Sequence, residues 1–490
     1  MKRINSKRGA IILATICAIW LQSCTIDESR EEIVIVSTND IHAAFEQIPR
    51  LVTLVDSLRG VHENVLVLDA GDRCTGNPYV DKASPKGEPL YTLLNMVGYD
   101  FSTLGNHEFD YGQEGMLHNI KHFGAEELCA NADFTGADEE PTISESVSPY
   151  KIFDLGGVRT AILGLIQIND MGIPSAMPDN MRGIKFFNGV DLSHDYEFLR
   201  DSAELLIALT HLGFEDDSVM VCRNTMFDLV VGGHSHTYLP EGRVINGTLV
   251  TQTGSKLRDV GVTRIEMEGG KVLSIKNELV SLSGVKPNAE AAAYIERCKG
   301  ESPLNTPVGS VDRDLDRVGM INMFTDIMRE RSGADIVLQN GGSIRIDDMK
   351  AGEVTAATIY ELEPFGNHIV TQEIMLSDVK RMIINKFNGS GGESHRIDLS
   401  PSGMSYTIVV GEDGEAEEVI CYDLQGGEMA NRKVTMATSN YVTSAYIYPG
   451  QGEAKAIEDG VVIAEAIIDV LKRGESYTGD NEVRVTISKR

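Results

Sequence analysis

The sequence predicts an α/β protein of at least two domains. The chain of 490 residues is longer than a single hydrophobic core usually supports. In its first half, short apolar runs alternate with stretches of helical periodicity such as residues 47–59. The apolar runs are rich in Val, Ile and Leu and do not alternate with polar residues, which is typical of strands buried on both faces of a sheet. Almost every run ends in a short group of polar residues.

The N-terminus has the pattern of a secretory signal. Lys2, Arg3, Lys7 and Arg8 precede an apolar stretch, residues 9–21, that is too short to span a bilayer comfortably. The stretch ends in Leu-Gln-Ser-Cys24, which resembles the lipobox of bacterial lipoproteins, where the cysteine is acylated and becomes the new N-terminus. We expect removal of residues 1–23 and a lipid anchor on Cys24 in the cell envelope, periplasmic or on the outer surface. An ordinary signal with a chance cysteine is the alternative.

Composition limits the class of partner. The formal net charge is −29, and removal of residues 1–23 makes it more negative by four. A surface this acidic argues against a nucleic acid polymer as partner, because phosphate backbones are bound by Lys and Arg. A small anionic substrate remains compatible if metal ions and a few arginines reverse the field locally. No protein partner is predicted. Of the seven cysteines, Cys17 lies in the signal and Cys24 is the expected anchor. The other five form no C-x-x-C pair, so we expect mostly buried free thiols.

Five short motifs follow these apolar runs in a fixed order. Because the carboxyl ends of strands in open α/β sheets meet at one edge, we expect the polar residues of all five motifs to converge there. Asp-x-His and His-x-His on extended segments would each direct both side chains to the same face. The motifs are Asp40-Ile-His42, Gly71-Asp72, Gly105-Asn106-His107-Glu-Phe-Asp110, Thr210-His211 and Gly233-His234-Ser-His236.

This set of residue types indicates a site for two metal ions. Oxygen and imidazole donors without thiolate suit Zn, Mn, Fe or Co, and the sequence does not choose among them. A carboxylate such as Asp72 can bridge two ions roughly 3.5–4 Å apart, as in two-metal hydrolases. One ion lowers the pKa of a shared water and both stabilise the charge of an in-line displacement at phosphorus. Phosphoester hydrolysis is the chemistry that this pattern favours. A structural metal site is the alternative, although such sites normally have one closed set of four ligands.

The same motifs resemble the metallophosphoesterase superfamily, and in detail its periplasmic or surface 5′-nucleotidase and UDP-sugar hydrolase family. The resemblance implies an N-terminal four-layer β-sandwich flanked by helices, followed by a smaller α+β domain. It implies one ion held by Asp40, His42, Asp72 and His236, and a second held by Asp72, Asn106, His211 and His234.

The resemblance also implies a catalytic pair. His107 would face the phosphate, where it stabilises the transition state or protonates the leaving oxygen, and Asp110 would orient it. Physical reasoning agrees, because a histidine beside two cations needs a carboxylate partner to stay charged. One departure from the family is Ala43, where glycine is usual. We do not infer inactivity from it.

The second half of the chain carries the family's C-terminal signals. We expect a metallophosphoesterase domain over residues 33–280 after a tether at 24–32, a linker helix within 281–302, and a nucleotide-binding domain over 303–490. The motif from Asn340 to Arg345 resembles the family's Asn-Gly-Gly-x-Ile-Arg element, and Glu-Pro-Phe365-Gly resembles its Pro-Phe-Gly element. The implied roles are Arg345 on phosphate or ribose, Asn340 near base or ribose, and Phe365 stacked on the base.

Three further positions leave alternatives open. Arg313 and Arg317 are similar to paired arginines that some relatives place against phosphates, but they also suit a salt-bridged surface loop. Tyr441 matches the family's second stacking aromatic, whereas Ile447 or a neighbouring residue stands where the family has an acidic residue that binds ribose hydroxyls. Loss of that acceptor for ribose hydroxyls leaves two rivals to a nucleotidase. One is a phosphohydrolase for a non-nucleotide ester, and the other is a non-catalytic envelope lipoprotein that binds nucleotides or metals.

Overall fold

The computed structural model describes residues 30–139, 142–300, 302–389, 395–446, 448–452, 455–457, 460–474 and 476–490. The expectations for the signal, for Cys24 and for Ile447 therefore lie outside the described residues. Within them, no helix has the length and apolar character needed to cross a bilayer. All five cysteines in this part of the chain are free. Cys222 is exposed and Cys298 half-buried, and the other three are buried as expected.

Two sheets pack face to face in the N-terminal domain. The first has the strand order β15-β14-β1-β2-β3-β4-β6 and the second β12-β13-β11-β10-β8-β7, while β5 and β9 form a separate short pair. In chain order these strands are β1 (Arg30–Thr38), β2 (Val65–Asp69), β3 (Phe101–Thr103), β4 (Glu126–Leu128), β5 (Ala132–Asp133), β6 (Val147–Ser148), β7 (Tyr150–Leu155), β8 (Val158–Ile166), β9 (Lys185–Phe186), β10 (Leu205–His211), β11 (Leu229–Val231), β12 (Arg243–Ile245), β13 (Thr248–Thr251), β14 (Asp259–Glu268) and β15 (Lys271–Ser281).

The central strands of both sheets are parallel. β1, β2, β3 and β4 run in one direction in the first sheet, as do β8, β10, β11 and β13 in the second. Antiparallel strands close both edges of the second sheet and one edge of the first. The apolar run Ile33 to Val36 predicts a strand there, and β1 starts earlier, at Arg30, because residues 30–32 pair with β14.

Helices cover the outer faces of both sheets, which makes four layers. Ile33 and Ile35 face the core between the sheets, while Val36 packs with the helices, so β1 is buried on both faces as expected. The helices of this domain and the linker are α1 (Ile48–Arg59), α2 (Pro78–Asp81), α3 (Glu88–Val97), α4 (Gly112–His122), α5 (Thr142–Ser146), α6 (Gly189–Leu192), α7 (Phe198–Ser202), α8 (Phe214–Arg223) and α9 (Ala289–Lys299). The predicted α/β class with a flanked β-sandwich is confirmed.

The C-terminal domain is smaller and mixes helices with a mostly antiparallel sheet. Its five-stranded sheet has the order β20-β17-β23-β19-β24, and β16-β18 and β22-β21-β25 form two further sheets. The strands are β16 (Pro307–Val311), β17 (Ile336–Asn340), β18 (Gly352–Thr355), β19 (Ile369–Met375), β20 (Leu399–Ser402), β21 (Ser405–Val410), β22 (Ala416–Tyr422), β23 (Lys433–Ser439), β24 (Lys455–Ala456) and β25 (Val485–Lys489). The helices are α10 (Arg317–Ser332), α11 (Ala356–Leu362), α12 (Leu376–Asn388), α13 (Asn440–Ala445) and α14 (Ile463–Leu471).

Candidate metal centre and adjoining cavity

Five strand ends deliver polar side chains to one place between the two sheets. Asp40 follows β1, Asp72 follows β2, and Asn106 and His107 follow β3. From the second sheet, His211 is the last residue of β10, and the two histidines of the His-x-His motif follow β11. Three groups of these side chains have donor atoms within 4.8 Å of one another, namely Asp40 with His42 and His236, His42 with Asp72 and His107, and Asp72 with His211 and His234.

The ligand-bearing loops are left-handed, so the expectation of extended Asp-x-His and His-x-His segments is wrong. After β1 and β2 the chain turns sharply, and these two loops hydrogen-bond to each other. The N–H groups of Asp40, His42 and Ala43 donate to the carbonyls of Gly71, Asp72 and Arg73 at 2.8–3.0 Å. Left-handed backbone costs about 1–3 kcal/mol at a non-glycine residue and clusters at functional sites. The positive φ angles are 51° at Asp40, 46° at His42, 50° at Ala43, 57° at Asp72, 75° at His234 and 52° at His236.

The first donor group surrounds the carboxylate of Asp40. Its Oδ1 lies 3.2 Å from Nε2 of His236 and 3.9 Å from Nε2 of His42, and the two imidazole nitrogens are 3.0 Å apart. Its Oδ2 accepts hydrogen bonds from the amide of Asn39 at 2.6 Å and from the His234 N–H at 3.0 Å, which fixes the plane of the carboxylate. Burial, with Arg345 and His107 nearby, holds the pKa of His42 well below its ordinary value. His42 is therefore neutral, as a metal ligand must be.

The second donor group surrounds Asp72, and His211 shows best how it fits a cation. Nδ1 of His211 donates to the carbonyl of Ala70 at 2.6 Å, which leaves a lone pair on Nε2. That Nε2 is fully buried, has no hydrogen-bond partner among the described residues, and lies 3.1 Å from Oδ2 of Asp72. A buried bare nitrogen beside a carboxylate is costly without a cation between them. Burial opposes protonation of this ring, but without a cation the carboxylates of Asp72 and Asp40 outweigh burial and raise the pKa of His211 to about 10. A proton on Nε2 then takes the place of the cation.

His234 and Asn106 complete this group. Nδ1 of His234 lies 3.0 Å from the side-chain oxygen of Asn106. Burial and the neighbouring His211 lower the pKa of His234 to about 4, so this ring is neutral. The seven nitrogen and oxygen donors thus fit two divalent ions, with Asp72 between the two groups.

His107 lies beside the donor groups without belonging to the set that the sequence assigns as ligands. Its Nδ1 is 2.7 Å from Oδ2 of Asp110, whose same oxygen accepts from the Thr75 hydroxyl at 2.6 Å. Its Nε2 faces the centre at 3.9 Å from Oδ2 of Asp72. Burial lowers the pKa of His107, but the carboxylates of Asp72 and Asp110 outweigh this effect and raise it overall. The raised pKa of His107 favours the protonated ring, whose Nε2–H faces the centre.

A buried ionic network beneath the loops was not identified from the sequence. Glu108 accepts from the N–H groups of Asp72, Arg73 and Gly105 at 2.7–2.9 Å, so one carboxylate fixes two ligand-bearing loops. The fully buried Arg73 makes two 3.0 Å hydrogen bonds to Glu127 and one of 3.1 Å to Asp69. Glu108 and Arg73 both lie inside or beside a motif, close to a ligand. Their charge, within or next to an otherwise apolar or glycine-rich motif, is the sequence feature that could have identified them.

A cavity of about 370 Å³ adjoins the centre and is lined by both domains. Its volume lies in the range of small-molecule sites. From the predicted site it includes Asn106, His107, Asp110, Asn340, Arg345, Phe365 and Tyr441. Residues of its wall that sequence reasoning missed include Ser175, Met177, Asn180, Asn367, His368 and Asn440. Asn367 is next to the Pro-Phe-Gly element, which could have indicated it. The loop carrying Met177 has no recognisable motif.

The predicted substrate residues fall into three groups. The guanidinium of Arg345 lies 3.2 Å from Nδ1 of His42 and 5.8 Å from the ring centre of Phe365, which itself stacks on His107 at 5.8 Å. Arg317 does not line the cavity but donates to the Gly341 carbonyl at 2.9 Å, behind the Asn340 loop. Arg313 is not brought to the site, because the adjacent carboxylate of Asp312 binds its half-exposed guanidinium at 3.0 and 3.1 Å. The surface-loop alternative describes Arg313.

Comparisons with known proteins agree with this architecture. A family model described as calcineurin-like phosphoesterase matches residues 33–238, and one described as 5′-nucleotidase, C-terminal domain, matches residues 303–458. The chain is 26% identical over 432 residues to the trifunctional nucleotide phosphoesterase protein YfkN of Bacillus subtilis, covering 77% of this chain but only 29% of that protein. It is 26% identical to the protein UshA of Yersinia enterocolitica, covering 75% of this chain and 79% of UshA.

A solved structure shows the same fold over nearly the whole chain. The 5′-nucleotidase precursor from Thermus thermophilus superposes with a TM-score of 0.79 at 23% sequence identity. The match covers 93% of this chain and 99% of that one, so both domains and their arrangement along the chain are shared.

Proposed function

Because the chain belongs to the 5′-nucleotidase family of calcineurin-like phosphoesterases and is a phosphoester hydrolase, we propose that it hydrolyses nucleoside 5′-monophosphates to nucleoside and phosphate. UDP-sugars and cyclic nucleotides are further candidate substrates. The observation that carries the proposal is the position of the cavity. Its wall places His107, beside the donor groups, next to the aromatic ring of Phe365 and also includes the ring of Tyr441. A phosphate near the donor groups would thus have its leaving group between the domains.

We propose that two divalent ions, Zn, Mn, Co or Fe, bind at the two donor groups. Asp40, His42, Asp72 and His236 would hold one, and Asp72, Asn106, His211 and His234 the other. The unpartnered Nε2 of His211 supports this, because a cation would satisfy it. When bound, such ions polarise phosphoryl oxygens and lower the pKa of a bound water.

His107 and Asp110 form the proposed catalytic pair. Asp110 holds the proton on Nδ1 of His107 and so directs Nε2 toward the centre. In this position Nε2 stabilises negative charge on the phosphate or gives its proton to the leaving oxygen. Thr75 fixes Asp110 from the other side. Arg345, at the border of the centre and the cavity, is suited to hold a phosphate oxygen with its planar donors.

The cavity wall also favours a second candidate, a phosphohydrolase for an ester without ribose. Among the described residues of the wall, Asp110 is the carboxylate present, and it is already bonded to His107 and Thr75. Asn440 contributes its amide, whose oxygen accepts from the His368 N–H at 2.7 Å. Ribose hydroxyls would therefore lack the acidic acceptor typical of the family.

We further propose secretion of the protein and acylation at Cys24, followed by a tether, a domain over residues 33–280, a linker at 281–302 and a second domain over 303–490. The support is the basic and apolar pattern of the N-terminus. Mass spectrometry of the membrane-associated protein tests the anchor. A lipid-sized mass increase on Cys24 is expected, and an unmodified N-terminus at another residue would contradict it.

Phosphate release decides between the candidates. The protein spanning residues 25–490 is loaded with Zn, Mn or Co and given AMP, UDP-glucose, a cyclic nucleotide and a ribose-free phosphoester. Fast release from AMP supports the nucleotidase, release from the ribose-free ester alone supports the second candidate, and no release with any metal supports a binding lipoprotein. His107→Ala should lower kcat by about 10²–10⁴-fold while metal content is retained. Substitution of the exposed His194 by alanine is the control.

A further inference from the structure

Lys256 joins the two domains directly at the candidate metal centre. It lies in the turn between β13 and β14, on the surface of the N-terminal domain. Its backbone N–H donates to the carbonyl of Asp40 at 2.8 Å, and its ammonium donates to the carbonyl of Arg345 at 2.8 Å. One residue thus connects a candidate metal ligand of the first domain with the candidate phosphate-binding arginine of the second.

The turn that carries Lys256 is held in a costly conformation. Lys256 and Leu257 are consecutive residues with positive φ, 59° and 51°. Neither is glycine, so this backbone is maintained by its surroundings. Leu257 is only 2% exposed and packs in the core of the first domain, and the N–H of Lys256 donates to the Asp40 carbonyl. The backbone that carries the Lys256 side chain is therefore fixed. This lowers the conformational entropy that is lost when the ammonium binds the Arg345 carbonyl.

The contact with Arg345 fixes a residue that faces the centre. The Arg345 N–H donates to the Leu362 carbonyl at 3.2 Å within its own domain, and Lys256 takes the carbonyl from the opposite domain. Both peptide groups of Arg345 are then held, while its guanidinium lies 3.2 and 3.3 Å from the ring nitrogens of His42. Loss of the ammonium would free one of these two backbone attachments.

Charges of both signs surround the ammonium. Asp347 and Glu361 attract it, whereas Arg345 and Arg317 repel it. These two attractions and two repulsions oppose one another, with Asp347 the largest of the four. The directed bond to the Arg345 carbonyl is the interaction that accounts for its position.

We propose that Lys256 is a positioning residue that holds Arg345 in place over the metal centre. This inference rests on the proposed function for its kinetic consequence but not for its structural one. A misplacement of about 1 Å costs roughly a hundredfold in rate at an oriented site, so Lys256→Met should lower kcat/KM by about ten- to a hundredfold. The exposed Lys286, changed to Met, is the matched control and should leave kcat/KM unchanged.

A double-mutant cycle separates positioning from other roles. If Lys256 acts through Arg345, then adding Lys256→Met to Arg345→Met should cost nothing further, because the guanidinium that it positions is already absent. Losses that multiply would overturn the proposal in favour of a direct contact with substrate. A loss of kcat/KM that is accompanied by a lower thermal unfolding midpoint would overturn the proposal in favour of a general structural role.

Hydrogen exchange gives a test that does not need activity. In Lys256→Met, amides of residues 341–348 should exchange about tenfold faster than in the unchanged protein, while the rest of the second domain keeps its rate. Lys286→Met should exchange like the unchanged protein. Equal rates in all three proteins would overturn the proposal. Absence of phosphate release from every ester, with the exchange difference present, would instead reject the proposed function and leave the positioning role standing.

Discussion

At the residue scale, glycines set how closely the ligand-bearing loops approach. Gly105 has φ −101° and ψ 177°, a conformation open to any residue, so its backbone does not require glycine. The requirement comes from contact, because an added Cβ would overlap Oδ1 and the backbone N of Asp72. At Gly233, an added Cβ would stand 2.8 Å from Nδ1 of His211. At both positions, the backbone of one ligand-bearing loop therefore lies against a ligand residue of another loop.

Gly105→Ala should damage the metal centre without removing any ligand. The methyl group must displace the Asp72 carboxylate, and overpacking of this kind costs about 1–3 kcal/mol. We expect a lower metal content per chain after dialysis against Zn or Mn, measured by atomic emission. Gly284→Ala is the control, because an added Cβ there meets no atom of the described residues within 4 Å. Equal metal content in the two variants would contradict the contact argument.

Arg73→Met should strongly destabilise the first domain. The substitution leaves Asp69, Glu108 and Glu127 buried without their cation, and breaking a buried ion pair costs about 3–5 kcal/mol. The free energy of unfolding in urea measures the effect. Arg182→Met removes an exposed pair with Asp179 and should change the same quantity by less than about 1 kcal/mol. A small effect of Arg73→Met would mean that the three carboxylates take up protons at little cost.

The sequence is informative where a motif carries the chemistry and silent where a loop does. All seven predicted donors converge because they follow parallel strands whose carboxyl ends lie at the same end of two packed sheets. The left-handed turns were missed because φ depends on the hydrogen bonds between two loops about 30 residues apart in the chain. Met177 and Asn180 were missed because their loop carries no motif and reaches the cavity only through tertiary packing, with the Asn180 amide 3.4 Å from the Asp110 carbonyl.

At the element scale, the turn after α11 shows how a short segment is fixed. Glu363 is 1% exposed and accepts from the N–H of Gly366 at 3.1 Å and from the amide of Asn367 at 3.0 Å. Phe365, whose ring lines the cavity, lies between these attachments. Burial raises the pKa of Glu363 from 4.5 to about 7.

Glu363 should make the protein less stable as the pH rises from about 4.5 to 7. In this window the unfolded chain has lost the Glu363 proton and the folded chain keeps it, so rising pH favours unfolding, by up to about 3 kcal/mol in total. Glu363→Gln removes the titration and should flatten the pH dependence of the unfolding free energy, measured in urea at pH 5, 6 and 7. The exposed Glu353→Gln should keep the slope of the unchanged protein. Parallel slopes for all three proteins would contradict the prediction.

Helices were predicted more closely than terminal strands. The helix expected at residues 47–59 is Ile48–Arg59, and the linker helix expected within residues 281–302 is Ala289–Lys299. The second begins where the Asn288 side chain accepts from the N–H groups of Glu290 and Ala291, a cap that is local in sequence. Residues 482–487, Glu-Val-Arg-Val-Thr-Ile, have a strand-like pattern, but the last strand is Val485–Lys489, because its register is set by pairing with β21, about 80 residues away.

At the scale of the whole molecule, the metal centre joins two sheets through buried acidic and imidazole groups. Removal of divalent ions should therefore lower the thermal unfolding midpoint. A ligand present at a thousand times its dissociation constant stabilises the folded state by about 4 kcal/mol. Bound ions would also compensate the conformational cost of the six left-handed residues. Calorimetry with EDTA and then with excess Mn or Zn measures the shift. His211→Ala should reduce this shift, and identical midpoints with and without EDTA would contradict metal binding.

The length of the chain, a change of pattern and the resemblance predicted two domains. They did not predict the contacts between the domains. The short distances from Arg345 to His42, from Phe365 to His107 and from Lys256 to Arg345 all cross between the domains. Each joins residues at least 89 positions apart in the chain. Hydrophobic periodicity describes each domain alone, and polar contacts across an interface leave no periodic signal.

The division of labour along the chain has a consequence for inheritance. Every candidate metal ligand lies between residues 40 and 236, while most of the residues that line the cavity lie between 340 and 441. Recombination at the linker could therefore give a lineage a new substrate without rebuilding its hydrolytic apparatus. The loop at residues 175–180 is the exception, because it belongs to the first segment and faces the second. A successful chimaera would need a compatible loop at this position.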